Sequence, residues 1–258
     1  MWRIKAFAFA AAVSLGVATA QGAELKVFVG GAMTETVSKI GADFARSSGH
    51  KLEFVSDTTG ALVNKLKAGE KADVIVVTEA AIDGLQKEGA LVQGSRTQLV
   101  RALVGVAVKA GSTTAPDLSS VDAFKQSLLK AKTVSYVDPK AGGTSGTYFE
   151  GLLARMGIAE QMKPKTVYRT TGAGVADAVA TGAGELGITF IAELSPNKGV
   201  KIAGPLPNEI QLPTNYVAGV LTVSTNQDAG RAFIQAMKAP GGEAVFKGAG
   251  LQPLTAAR

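Results

Sequence analysis

The chain contains no cysteine. That excludes disulfides, thiolate metal sites and a lipid-modified N-terminal cysteine. Histidine is almost as scarce, with His50 alone, placed just before a β-rich run and away from the loops discussed below. With neither a nucleophile elbow nor a carboxylate–histidine cluster in the sequence, triad hydrolysis is not expected, and neither a metal nor a cofactor is. Aromatic residues make up only 6% of the chain, and its lysines and arginines are scattered singly. Nucleic-acid surfaces need clustered basic residues with aromatics among them, so that class of partner is not expected either. A membrane-length apolar run is also missing: Ala6 to Ala20 is uncharged but short and alanine-rich.

That short run has a different use. A cationic start, Met1-Trp2-Arg3-Ile4-Lys5, precedes it, and Ala18-Thr19-Ala20 follows with small residues suited to cleavage; Ala23 is a second possible cut. The pattern predicts a signal peptide over residues 1–23 and a mature protein in the periplasm. The whole chain carries 27 basic and 21 acidic residues; without Arg3 and Lys5 the balance is 25 to 21, or +4. This modest excess agrees with a small anionic ligand. With 46% hydrophobic residues, the remaining length suffices for one large or two small cores.

Strand and helix patterns alternate along the chain. LKVFV (25–29), KLEFV (51–55) and ADVIVV (72–77) read as strands, each followed by a turn and a helical period, which is a doubly wound α/β unit. Leu99 to Lys109 reads as one longer strand, with the crossover to a second lobe nearby. The second lobe repeats the logic with strands at 133–137, 166–168 and 186–190. The expected organisation is residues 24–98 as the first lobe, 99–221 as the second, and 222–258 returning to the first.

The loop Asp138-Pro139-Lys140-Ala141-Gly142-Gly143-Thr144-Ser145-Gly146 is the most informative stretch. A strand feeding a glycine-rich turn that opens a helix gathers unpaired N–H groups at the positive end of the helix dipole. Thr144 and Ser145 add hydroxyls, and such a place suits a carboxylate or a mineral oxyanion. Three further loops have the same character: Gly30 to Met33, Ser56 to Gly60, and Thr170 to Gly174. All four stand at the carboxyl ends of strands, where open α/β sheets bind ligands. Two lobes closing across a hinge would bring them around one small anion.

On the segments LKVFVGGAMTETV, TTGALVNKLKAGEKADVIV, ELGITF, VKIAGPLP and FIQAMKAPGGEAVFKGAGL, the chain resembles the type II periplasmic binding proteins, in particular their molybdate-binding branch. The resemblance implies two lobes, each a mixed sheet flanked by helices, with a hinge between them. It implies a monomer that delivers a small anion, oxyanion or organic carboxylate, to an inner-membrane ABC permease. Carried over from the family, the ligand positions fall at Ala32, at Thr59 with Thr58 beside it, at the amides of Ser145 and Val175, and at Phe190. Thr144, Gly146 and Gly174 lie within the same loops. Ala32 and Phe190 lack the hydroxyls that the family uses, and Arg169 offers a bidentate grip better suited to a planar carboxylate. An organic carboxylate is therefore preferred over molybdate. The chain is also similar to an aconitate-isomerising subgroup of these proteins, for which Asp57, Lys140 or Glu193 would have to serve as the base.

Overall fold

The computed structural model describes residues 22–113 and 115–254, so all of the expected leader except Gly22 and Ala23 lies outside the described residues. β1 (Glu24–Gly30), α1 (Thr34–Ser48), β2 (Lys51–Asp57), α2 (Thr59–Lys67), β3 (Val74–Thr78) and α3 (Glu79–Lys87) form the first unit. β1 lies between β2 and β3 and runs parallel to both. Every residue of β3 is buried, as its unbroken apolar run requires of a strand covered on both faces. α1 packs on this sheet through Val37, Ile40 and Phe44 and ends at Gly49, whose φ of 74° is the left-handed cap that glycine adopts without strain.

The long apolar run near residue 100 is two strands, not one. β4 (Thr97–Ala102) joins the first sheet and β5 (Val104–Lys109) the second, with Leu103 between them. The second lobe continues through α4 (Val121–Lys130), β6 (Val134–Val137), α5 (Thr144–Arg155), α6 (Ala159–Met162), β7 (Thr166–Arg169), α7 (Gly172–Thr181), β8 (Leu186–Phe190), α8 (Ile191–Leu194) and β9 (Val200–Pro205). The chain then returns as β10 (Thr214–Val220), α9 (Gln227–Lys238), α10 (Pro240–Gly248) and β11 (Gln252–Pro253). The two sheets have the orders β11-β4-β10-β3-β1-β2 and β7-β6-β8-β5-β9. Both are mixed: β10 is antiparallel to β3 and β4, and β5 is antiparallel to β8 and β9.

The sequence-based boundaries at 99 and 222 therefore move. Residues 99–102 and Thr214–Val220 pair in the first sheet. Both β4 and β5 are largely buried, so no polar alternation marks where one sheet gives way to the other. The two crossings are pinned to each other. The Val104 N–H donates to Gln211 Oε1 at 2.9 Å, Gln211 Nε2 donates back to the Val104 carbonyl at 2.9 Å, and the Leu206 N–H reaches that carbonyl at 3.1 Å. His50 lies far from these crossings and from the strand ends, its Nδ1 accepting from the Ala23 N–H at 2.9 Å and its ring stacked on Phe44. Among the described residues, no helix is long and apolar enough to cross a membrane.

Candidate functional site

The carboxyl ends of β1, β2, β6 and β8 face one another across the gap between lobes, and two connected spaces lie there. The wider cleft, about 410 Å³, is bounded by Gly31, Thr34, Glu35 and Ser56 to Thr58 on one side. Its other wall is formed by the first turns of α7 with Ala192, Glu193, Pro196 and Asn197. Behind it is a small chamber of about 20 Å³ between Thr58, Thr59 and Tyr216 of the first lobe and Gly143 to Ser145, Gly172, Phe190 and Glu193 of the second. The lobes touch directly beside it. Thr58 Oγ1 donates to the Ala141 carbonyl, and the Gly60 N–H donates to the Gly142 carbonyl at 3.2 Å. This is a closed clamp.

Helix starts supply the chamber's dipoles. α5 begins at Thr144 and α7 at Gly172, so Thr144-Ser145-Gly146 and Gly172-Ala173-Gly174 are already first helical turns, where the sequence suggests loop. The first turn of α5 has no side-chain cap, which leaves its leading N–H groups for the chamber. In α7 the Thr171 hydroxyl accepts from the Gly174 N–H at 3.1 Å, and the Thr171 carbonyl accepts from the Val175 N–H at 3.1 Å. The amides of Gly174 and Val175 are thus spent inside the helix, and those of Gly172 and Ala173 stand at its open end.

The candidate residues separate accordingly. Thr58, Thr59, Thr144, Ser145 and Phe190 line the chamber. Ala32, Gly146, Arg169, Gly174 and Val175 line neither space. Ala32 is buried in the core beside β1, and Val175 is fully buried. Gly146 is pressed against the backbone of Val137. Arg169 is turned out of the cleft and donates to the carbonyl of its neighbour Tyr168 at 2.8 Å. The preference for a planar carboxylate based on Arg169 therefore loses its support. Of the three candidate bases, Lys140 lines neither space, Asp57 lines the cleft, and Glu193 reaches both.

Glu193 dominates the chamber. Its carboxyl group lies against Gly31 and Gly172; a Cβ added at Gly31 would come within 2.5 Å of Glu193 Oε1, and one at Gly172 would overlap the carboxyl carbon. Thr189 Oγ1 donates to Glu193 Oε2, Ser145 Oγ lies 3.0 Å from Thr189 Oγ1, and the Phe190 backbone amide also donates to the carboxyl. Loss of water outweighs these donors and pushes the carboxyl up to about 7. The sign follows for stability. Between about pH 4.5 and 7 the folded chain keeps a proton that the unfolded chain has released, so this group's contribution falls as pH rises through that window. The loss is at most about 3 kcal/mol. Glu193→Gln is expected to flatten this part of the stability–pH profile measured by denaturant titration; an unchanged slope from pH 5 to 8 would contradict it.

Tyr216 is the residue that sequence reasoning missed. It is 2% exposed, lines the chamber from β10, and packs its ring edge against Phe190 at 6.0 Å between centroids. Burial, reinforced by Glu193, raises its phenol well above the ordinary value. A hydroxyl absent at Phe190 is thus present on the opposite wall, and only the position of β10 in the first sheet reveals it. The electrostatics are otherwise one-sided. Glu35, Asp57, Asp177 and Glu193 line the wider cleft, and among the described residues no lysine or arginine does. Glu35 and Asp177 are exposed on the rim, where solvent and salt screen them.

Residues 25–252 match the family described as bacterial extracellular solute-binding protein. The aconitate isomerase of Pseudomonas sp. is 30% identical over 238 residues, covering 90% of this chain and 88% of that protein. The molybdate-binding protein ModA of Azotobacter vinelandii is 32% identical over 248 residues, covering 90% and 92%. A solved structure of the periplasmic molybdate-binding protein from Azotobacter vinelandii superposes with a TM-score of 0.73 at 20% identity, covering 90% of this chain and 100% of that one. The two-lobed architecture is therefore the type II periplasmic-binding-protein fold.

Proposed function

The chain belongs to the bacterial extracellular solute-binding protein family, and from that premise we propose that it captures a small anion between its lobes in the periplasm and hands it to an inner-membrane ABC permease. The observation that carries this reading is the group already seated in the chamber. A carboxyl is held there by the Thr189 hydroxyl and the Phe190 amide, packed against Gly172 at the start of α7. A site that accommodates the chain's own carboxyl is shaped for an oxyanion or a ligand carboxylate. Two features narrow the class. The 410 Å³ cleft exceeds what a tetrahedral oxyanion fills, which favours an organic acid. Four carboxylates and, among the described residues, no basic side chain in the walls disfavour a multiply charged ligand.

A thermal-shift screen tests the reading, because a ligand that binds only the folded state raises the melting temperature. The panel is molybdate, tungstate, sulfate, phosphate, and mono-, di- and tricarboxylates. Thr59→Ala and Ser145→Ala should each weaken binding of the best hit by about 1.5–3 kcal/mol, as expected for a donor to a charged group, with Ser145→Ala also losing about 0.5–1.5 kcal/mol of stability through its bond to Thr189. Full affinity in both variants would remove the site.

One observation supports a second reading, isomerisation by proton transfer. A carboxyl near neutrality shares the chamber with the Tyr216 side chain, and such a pair suits acid–base chemistry next to a ligand carboxylate. Purified protein incubated with cis- or trans-aconitate in heavy water would then interconvert them or incorporate deuterium. Binding without either event leaves capture alone.

A further inference from the structure

We propose that Glu193 is the protein's own competitor for its anion subsite, so that capture of an anion takes up one proton from solvent. The inference rests on the anion reading above and adds to it a determinant of specificity and of pH dependence. Three geometric facts support it. The Glu193 carboxyl occupies the junction of the two spaces, between Gly31 of one lobe and Gly172 of the other. It takes the hydroxyl of Thr189, which a ligand oxygen near Ser145 would otherwise use. The buried Tyr216 side chain borders the same chamber from the first lobe, so a polar side chain of each lobe meets there.

The charged surroundings decide how the competition resolves. Asp57 and Glu35 face the cleft from the first lobe and Asp177 from α7, while Tyr216 borders the chamber from β10; Asp177 is engaged by Asn197 Nδ2 at 2.8 Å. Arg169, at the end of β7, donates to the Tyr168 carbonyl and lines neither space. An anion arriving beside an ionised Glu193 therefore meets a second negative charge with no cation to offset either. Two carboxyl-like groups in one site share a proton. Glu193 binds a proton from solvent at one carboxylate oxygen, becomes a neutral acid, and donates that proton in a hydrogen bond to the ligand oxygen. Burial, which raises its proton affinity, lowers the cost of this step.

The experiment measures affinity for the singly charged acids lactate, pyruvate and benzoate from about pH 6.5 to 9, with wild type and Glu193→Gln side by side. Wild-type Kd should rise about tenfold per pH unit above 7, while Glu193→Gln stays flat and binds about 100-fold more tightly than wild type at pH 9. Calorimetry of the wild type in two buffers with different ionisation heats should show nearly one proton taken up per ligand at pH 8. A flat wild-type profile, no proton uptake, or loss of affinity in Glu193→Gln at every pH would overturn the proposal. If the variant fails to fold, the two-buffer titration of the wild type decides alone. Binding without proton uptake defeats this proposal only; absence of binding by either protein at any pH defeats the anion reading, and the proposal with it.

Discussion

Gly146→Ala should cost the protein about 3 kcal/mol or more and lower its melting temperature by about 6–12 °C. Gly146 lies in the first turn of α5, directly over the end of β6. An added Cβ would overlap the carbonyl of Val137 and come within 3.1 Å of its Cβ. The obstructing atoms are backbone, held by the pairing of β6 with β7 and β8, so no side-chain rotation relieves the overlap. The helix start must lift from the strand end, and Ser145 moves with it out of the chamber. The same helix carries its own control. A Cβ at Gly151 meets only the mobile end of Arg155 at 3.4 Å, so Gly151→Ala should be neutral or stabilise by about 0.5–1 kcal/mol. Equal losses in the two variants, measured by denaturant titration, would contradict the close approach of α5 to β6.

Gly60→Ala should leave the stability of each lobe intact and prevent the clamp from closing. Its Cβ would lie 2.9 Å from the Gly142 Cα and 3.0 Å from the Gly142 carbonyl oxygen, both across the interlobe contact. Gly142 has a φ of 74°, so the opposing turn is itself held in a conformation that suits glycine. Within its own lobe Gly60 belongs to the first turn of α2, where alanine is a better helix former. The strain therefore falls on the contact between lobes, breaking the Gly60–Gly142 hydrogen bond and the Thr58–Ala141 bond beside it. Overpacking of about 1–3 kcal/mol at a contact made only in the closed state corresponds to a 5- to 150-fold weaker Kd. Small-angle scattering should show a larger radius of gyration at unchanged melting temperature. An identical radius and Kd would mean that the two turns do not set closure.

What could be read in the sequence, and what could not, follows from how each residue advertises its surroundings. VIVV in ADVIVV and LGITF in ELGITF announce buried strands because no charged residue interrupts them, and β3 and β8 lie where those runs stand. The same continuity hides the junction at Leu103, since two buried strands in different sheets look like one long strand. Glycines at 172 and 174 read as loop because glycine carries no helical periodicity, yet they form the first turn of α7. Arg169 reads as a ligand grip by its chemistry, and only its place at the end of β7 turns it outward. Tyr216 carries no local mark of a binding role. Its position in the chamber depends on a strand that pairs with β3, more than a hundred residues earlier.

That pairing also sets the order in which the molecule can be completed. β10 lies between β3 and β4 at the middle of its sheet, and it leaves the ribosome only after every strand from β4 to β9. Until then β3 presents an open, wholly apolar edge, the kind of surface that chaperones hold and that aggregates when left bare. The later lobe, whose strands are contiguous in the chain, needs no such wait. A polypeptide halted before Thr214 should therefore contain one folded half and one sticky half. Synthesis of this protein is thus a race between arrival of the last strands and self-association of the first.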